Sequence, residues 1–166
     1  MVTTLRIIFN SSPLIFLARL DFLGKFVDSS DNFYLPKSLA DEIEAKDEQP
    51  SSYIKNLIDS GNIEVKEVNL VSLANSLNIR LGKGESEAIA LSIELQTDYT
   101  ILDDSAARRE AMRLGLKVKG TLSVIKKLNS EGKIIIENLD DLYQKLIEVK
   151  FWIKGTLFNE IFENSN

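Results

Sequence analysis

The sequence predicts an α/β fold: a three-layer α/β/α sandwich around a mainly parallel sheet. Three observations carry that expectation. Short apolar segments with β-branched residues alternate with helical stretches. The connections between them are short. Polar side chains stand directly after two of the apolar segments, at Asn10 and at Asp103–Asp104.

The elements follow in order. Leu5–Phe9 is short and apolar, a buried strand. In the turn Asn10-Ser11-Ser12-Pro13, Ser12 suits a helix cap and Pro13 the first helical position; Leu14, Leu17, Ala18 and Phe22 then recur at helical spacing. Phe33–Leu35 is a second strand, closed by Pro36, and Lys37–Ala45 a helix. Pro50 opens another helix, which Gly61 ends. Ile63–Val68 alternates apolar and charged residues, as a strand with one wet face does. Leu70–Leu77 is helical, Arg80–Gly84 a loop, and Glu85–Leu95 a largely buried helix. Tyr99–Leu102 is a strand, Ser105–Leu114 a helix, Leu116–Val118 a short strand, and Leu122–Leu128 a helix. Leu139–Val149 and Gly155–Phe162 are amphipathic helices separated by Phe151-Trp152. Residues 1–135 are therefore expected to form the main domain, and 136–166 a helical extension packed on it.

The 166 residues suffice for a substantial core, and 44% hydrophobic with 27% charged residues is ordinary for a globular protein. The chain has no His and no Cys. That excludes a Ser-His-Asp triad, a cysteine nucleophile and Cys/His zinc sites. It also excludes disulfides, which suits a cytoplasmic location. No apolar run reaches the roughly 18 residues of a membrane span. The net charge of −5 argues against a protein that coats nucleic acid over a wide surface.

Oxygen chemistry remains, and the acids are its candidates. Strand ends in a parallel sheet converge, so Asn10 and Asp103 share a crevice if their strands are neighbours. Carboxylates gathered there repel unless a cation or proton compensates, and Mg²⁺ or Mn²⁺ bound by oxygens meets that need. Helix capping competes for the same residues. Asp104 is the better cap, which leaves Asp103 for chemistry. Glu85 and Glu87 are two residues apart on a helix, so at most one of them faces a given crevice. Glu42 lies at the edge of a buried stripe, where a solvated flank is the commoner role; Asp41 and Glu44 read as surface charge. Arg108, Arg109, Arg113, Lys117, Lys119, Lys126 and Lys127 follow the acid pair. They are either phosphate holders or solvated faces, the latter for Arg113, Lys126 and Lys127. Phe151, Trp152 and Phe158 suit base stacking, but a docked tail or a dimer seam explains them more simply.

The sequence resembles PIN-domain proteins, in particular the prokaryotic subgroup of nucleic-acid-binding proteins related to toxin ribonucleases. The matching stretches are Asn10-Ser11-Ser12-Pro13-Leu14-Ile15, Leu35-Pro36 with Glu42-Ile43, and Gly82-Lys83-Gly84-Glu85-Ser86-Glu87-Ala88-Ile89-Ala90-Leu91. Leu102-Asp103-Asp104, Ala107-Arg108, Leu114-Gly115-Leu116 and Gly120-Thr121 continue the series, over roughly residues 6 to 135. The resemblance implies a metal-dependent endoribonuclease that cleaves single-stranded RNA with Mg²⁺ or Mn²⁺. It also raises the toxin role of a toxin–antitoxin pair, with an antitoxin as partner; a homodimer is a further expectation. The implied pocket comprises Asn10, Glu42, Glu85 or Glu87, and Asp103, with Asp104 beside it. Within it, Asp103, Glu87, Glu42 and Asn10 are the catalytic candidates, and Ser12, Arg108 and Thr121 hold the site or the substrate. Most PIN nucleases end the first strand in Asp, and this chain has Asn10. The alternative expectation is accordingly a catalytically weakened PIN-like module that binds RNA or a protein.

Overall fold

A computed structural model describes residues 3–46 and 48–163. Five parallel strands form one sheet: β1 (Arg6–Phe9), β2 (Asn32–Pro36), β3 (Ile63–Lys66), β4 (Tyr99–Ile101) and β5 (Val118–Lys119). Their order is β3-β2-β1-β4-β5. The chain steps outward from β1 through β2 to β3, then returns to the other side of β1 for β4 and β5. The reversal falls between β1 and β4, the kind of position at which open α/β sheets bind their ligands.

Strand alternation divides the core. Ile7 and Phe9 of β1, Phe33 and Leu35 of β2, and Ile101 of β4 pack on one side, beneath α1 (Ser11–Arg19), α2 (Leu23–Val27), α3 (Lys37–Ala45), α4 (Gln49–Asp59) and α8 (Thr121–Ser130). Ile8, Tyr34 and Leu102 face the other layer, α5 (Val71–Leu77), α6 (Lys83–Leu95) and α7 (Ser105–Arg113). This is the α/β/α sandwich that the sequence predicts. The register sets Phe9 beside Ile101 and Ile8 beside Thr100, so both strands end level with each other.

Helix α6 is anchored from within. Ser92 is fully buried; its hydroxyl donates to Ala88 O at 2.7 Å and accepts from the Thr100 hydroxyl at 2.7 Å. A satisfied buried pair of this kind fixes the register of helix on sheet. The tail, α9 (Leu139–Glu148) and α10 (Gly155–Glu163), packs its buried Leu142, Leu146 and Phe158 into the core. Phe151 meets Phe16 edge-on with centroids 5.0 Å apart, and the Tyr143 hydroxyl donates to Ile153 O at 2.8 Å. Phe158, 2% exposed, is a packing residue with no face left for a base, whereas Trp152 is exposed. Among the described residues no helix is long and apolar enough to cross a membrane.

The structure corrects several expected boundaries. Helix α1 starts at Ser11 with Asn10 in the cap position, so Ser12 is not the cap and Pro13 lies in the first turn. The helix stops before Phe22, because Asp21 takes a left-handed conformation (φ 62°), and a separate α2 follows. Helix α6 begins at Lys83, inside the expected loop. Strand β5 is Val118–Lys119, shifted from Leu116–Val118 because Val118 and Lys119 are the residues that pair with Thr100 and Ile101.

Candidate active site

Asn10 ends β1, and its backbone N–H donates to Ile101 O at 3.1 Å, tying it to the end of β4. An asparagine in the cap position ordinarily accepts an N–H of the helix's first turn. Here it does not: the side chain is 3% exposed, and Oδ1 has no hydrogen-bond partner. It lies against Gly84 of α6, where an added methyl would come within 3.2 Å of Asn10 Oδ1 and 3.0 Å of Leu39 Cδ2. The small residue lets α6 approach this closely.

Asp103 follows β4 and is held from the start of α8. Thr121 N–H donates to its Oδ1 at 2.7 Å, and the Thr121 hydroxyl to its Oδ2 at 2.6 Å. Burial pushes the Asp103 carboxyl above its usual range, while the two Thr121 bonds and the Arg108 charge pull it back in part. Arg108 Nη1 donates to Leu102 O at 2.9 Å. Gly120 makes room for both groups: a methyl there would lie 2.9 Å from Arg108 Nη1 and 3.0 Å from Asp103 Oδ1. Asp104 caps α7, accepting Ala107 N–H at 2.9 Å, the role its position predicts.

The two glutamates of α6 diverge. Glu85 folds back over Gly82 and fills the space that a side chain there would need. Glu87 turns inward, and its Oε2 is buried without a partner. Burial raises its pKa, Lys83 lowers it, and the charge of Glu42 raises it, so Glu42 on α3 and Glu87 on α6 act on one another. Asp41 pairs with Lys37 at 3.2 Å and Glu44 with Lys55 at 3.7 Å, as ordinary surface charges do. Ser12 is exposed on the first turn of α1. Sequence reasoning passed over Ser38, whose hydroxyl is also buried without a partner. Its signal is the spacing to Glu42, four residues on and thus on the same helix face.

Two partnerless oxygens, Asn10 Oδ1 and Glu87 Oε2, with carboxylates nearby, are the donor chemistry that a hard divalent cation takes. The carboxylates do not converge into one cage, however. Among the described residues no group of three or more acids is close enough to hold an ion together.

A model of the family DUF3368, a PIN domain, matches residues 6–166. The chain belongs to this PIN-domain family. The match runs through the tail helices as well as the sheet. No curated protein and no solved structure matches the chain. PIN domains are generally divalent-metal-dependent nucleases, so this one is a nuclease-like, nucleic-acid-binding module by family. In this PIN domain the strand-end position of β1 carries a neutral amide, Asn10.

Proposed function

We propose that this PIN-domain protein is a weak, metal-dependent endoribonuclease acting on single-stranded RNA in the cytoplasm, with Mn²⁺ preferred over Mg²⁺. The observation that supports this most is the pairing of Asn10 with the end of β4. It sets a buried, partnerless oxygen beside the strand that delivers Asp103.

A hard divalent ion held by one or two carboxylates, with waters and the substrate phosphate, needs no three-acid cage: Asn10 with two of Glu42, Glu87 and Asp103 would hold it, and when bound it would polarise the phosphate and lower the pKa of the attacking water. Thr121 orients Asp103 while leaving each carboxylate oxygen a further lone pair. Glu87 or Asp103, both with raised proton affinity, accepts the proton of that water. Arg108, fixed on Leu102 O, presents its remaining donors to a phosphate. Asn10 brings no charge, so cation affinity falls and the smaller set of acids favours a metal that binds nitrogen and oxygen donors more tightly, as Mn²⁺ does relative to Mg²⁺.

The test is cleavage of single-stranded RNA by the parent protein, Asn10→Asp and Asp103→Asn, with each metal in turn. Slow cleavage by the parent, faster cleavage by Asn10→Asp and a loss of about 10²-fold or more in Asp103→Asn are expected. No cleavage by either the parent or Asn10→Asp overturns the nuclease reading.

A second reading is a module that binds RNA or a protein without cutting; the amide at Asn10 and the lack of a three-acid group among the described residues favour it. Calorimetric titration with Mn²⁺ separates the two, because only the first requires uptake of the ion. A toxin role with an antitoxin partner belongs to the nuclease reading. A homodimer is proposed with exposed Trp152 and Leu157 as its candidate contacts. Light scattering of the parent against Trp152→Ser tests that surface.

A further inference from the structure

On the α8 side of the sheet lies a cavity of about 290 Å³ that the candidate active site does not use. Its floor is apolar, built from Ile7 of β1, Ile101 of β4, Phe26 of α2 and Val124 of α8. The charged groups of its lining are of one sign. Lys119 and Lys127 line it, Ser123 adds a hydroxyl, and no acid is among its lining residues. Lys119 Nζ stands 5.5 Å from the centroid of the Tyr99 ring. It has no carboxylate within ion-pair distance among the described residues. Lys127 reaches only Glu131, at 3.9 Å on the exposed surface of its own helix.

A cavity with buried apolar lining and two exposed lysines fits an apolar body that ends in one negative charge. The volume lies at the small end of ligand pockets, which begin at roughly 300 Å³. That size suits a compact molecule and not a folded segment of another protein. We infer that this cavity binds a small apolar monocarboxylic acid, its chain against Ile101 and Val124 and its carboxylate between Lys119 and Lys127. The site neighbours the candidate active site through two residues. Ile101 gives its carbonyl to the Asn10 N–H, and Lys119 stands two residues before Thr121.

The experiment is a titration of the ¹⁵N-labelled full chain with octanoate, followed by amide shifts, with octylammonium and a peptide ending in a free leucine carboxylate in parallel. Octanoate is expected to shift the amides of Tyr99, Lys119, Thr121 and Val124 saturably, and octylammonium to leave them unmoved. Lys119→Glu should weaken octanoate about tenfold, and Val124→Trp, which fills the slot, should abolish binding. If Val124→Trp does not fold, Ser123→Phe at the half-buried rim replaces it and should block entry. Octylammonium binding as tightly as octanoate overturns the proposal, and so does octanoate affinity unchanged by Ser123→Phe. Binding of the peptide without binding of octanoate also overturns it, and assigns the slot to a protein chain terminus. None of these readouts depends on RNA cleavage.

Discussion

Thr121 holds both oxygens of Asp103, one through its backbone N–H and the other through its hydroxyl. The two residues are 18 positions apart, so the start of α8 fixes the orientation of a carboxylate delivered by β4. Thr121→Val keeps the shape and the N–H but removes the hydroxyl donor. A half-buried carboxylate oxygen then loses its partner, at an expected cost of about 1–3 kcal/mol in urea unfolding. The Asp103 pKa, followed by side-chain carbon NMR, should rise further in Thr121→Val and stay near the parental value in Thr121→Ser. Equal values in the valine and serine variants would show that the hydroxyl has no such role.

Asn10→Asp places a carboxylate where the parent has a neutral, buried amide. Without metal the uncompensated charge should cost about 3 kcal/mol, seen as a lower Tm. Added Mn²⁺ should restore much of the loss by binding the folded state alone. The rescue should exceed the shift of the parent at the same ion concentration. A variant whose Mn²⁺ shift is no larger than the parent's would remove Asn10 from the proposed ion site.

The raised pKa of Glu87 has a definite sign in the pH profile. Its folded form holds the proton more tightly than the unfolded chain does. The associated stability is thus complete below the ordinary glutamate value of 4.5 and is lost as pH rises through the higher folded value. Glu87→Gln should therefore be more stable than the parent at neutral pH and should flatten this part of the profile. Denaturant midpoints measured from pH 4 to 8 give the comparison. A variant less stable than the parent across that whole range contradicts the assignment.

Phe158 tests the tail. It is 2% exposed and packs against Tyr143 and Phe162, with centroids at 5.1 and 4.8 Å. Phe158→Ala should cost about 3 kcal/mol, the lower end for a buried phenylalanine. Urea unfolding should remain a single transition if α10 is part of the core that holds the sheet. Two separated transitions would show a tail that melts by itself.

Much of this architecture was legible because strand and helix periods differ. The segments Leu5–Phe9 and Tyr99–Leu102 announced parallel strands, and Lys37–Ala45 was expected with the boundaries it has. The break after α1 was hidden, since Phe22 continues the helical spacing of Leu14, Leu17 and Ala18 and the left-handed turn falls on Asp21, a position without the glycine that would mark it. At the site, spacing gave Asp104 its capping role but could not choose between Glu85 and Glu87. Gly82 makes the difference, because it lacks a side chain and Glu85 folds into the vacated space. That no three acids gather among the described residues was also invisible, since it depends on how separate helices and strands pack in space. Ser38 was overlooked because a lone serine in a helix's first turn is ordinary until its hydroxyl is found without a partner.

The central place of β1 governs when this edge of the sheet comes into being. Asn10 precedes its neighbour β4, with Asp103, by two further strands in chain order. β1 can pair with β2 and β3 first, but the partner that stands beside Asn10 is then still missing. Under the proposed function, no cutting of RNA would begin before β4 has joined the sheet.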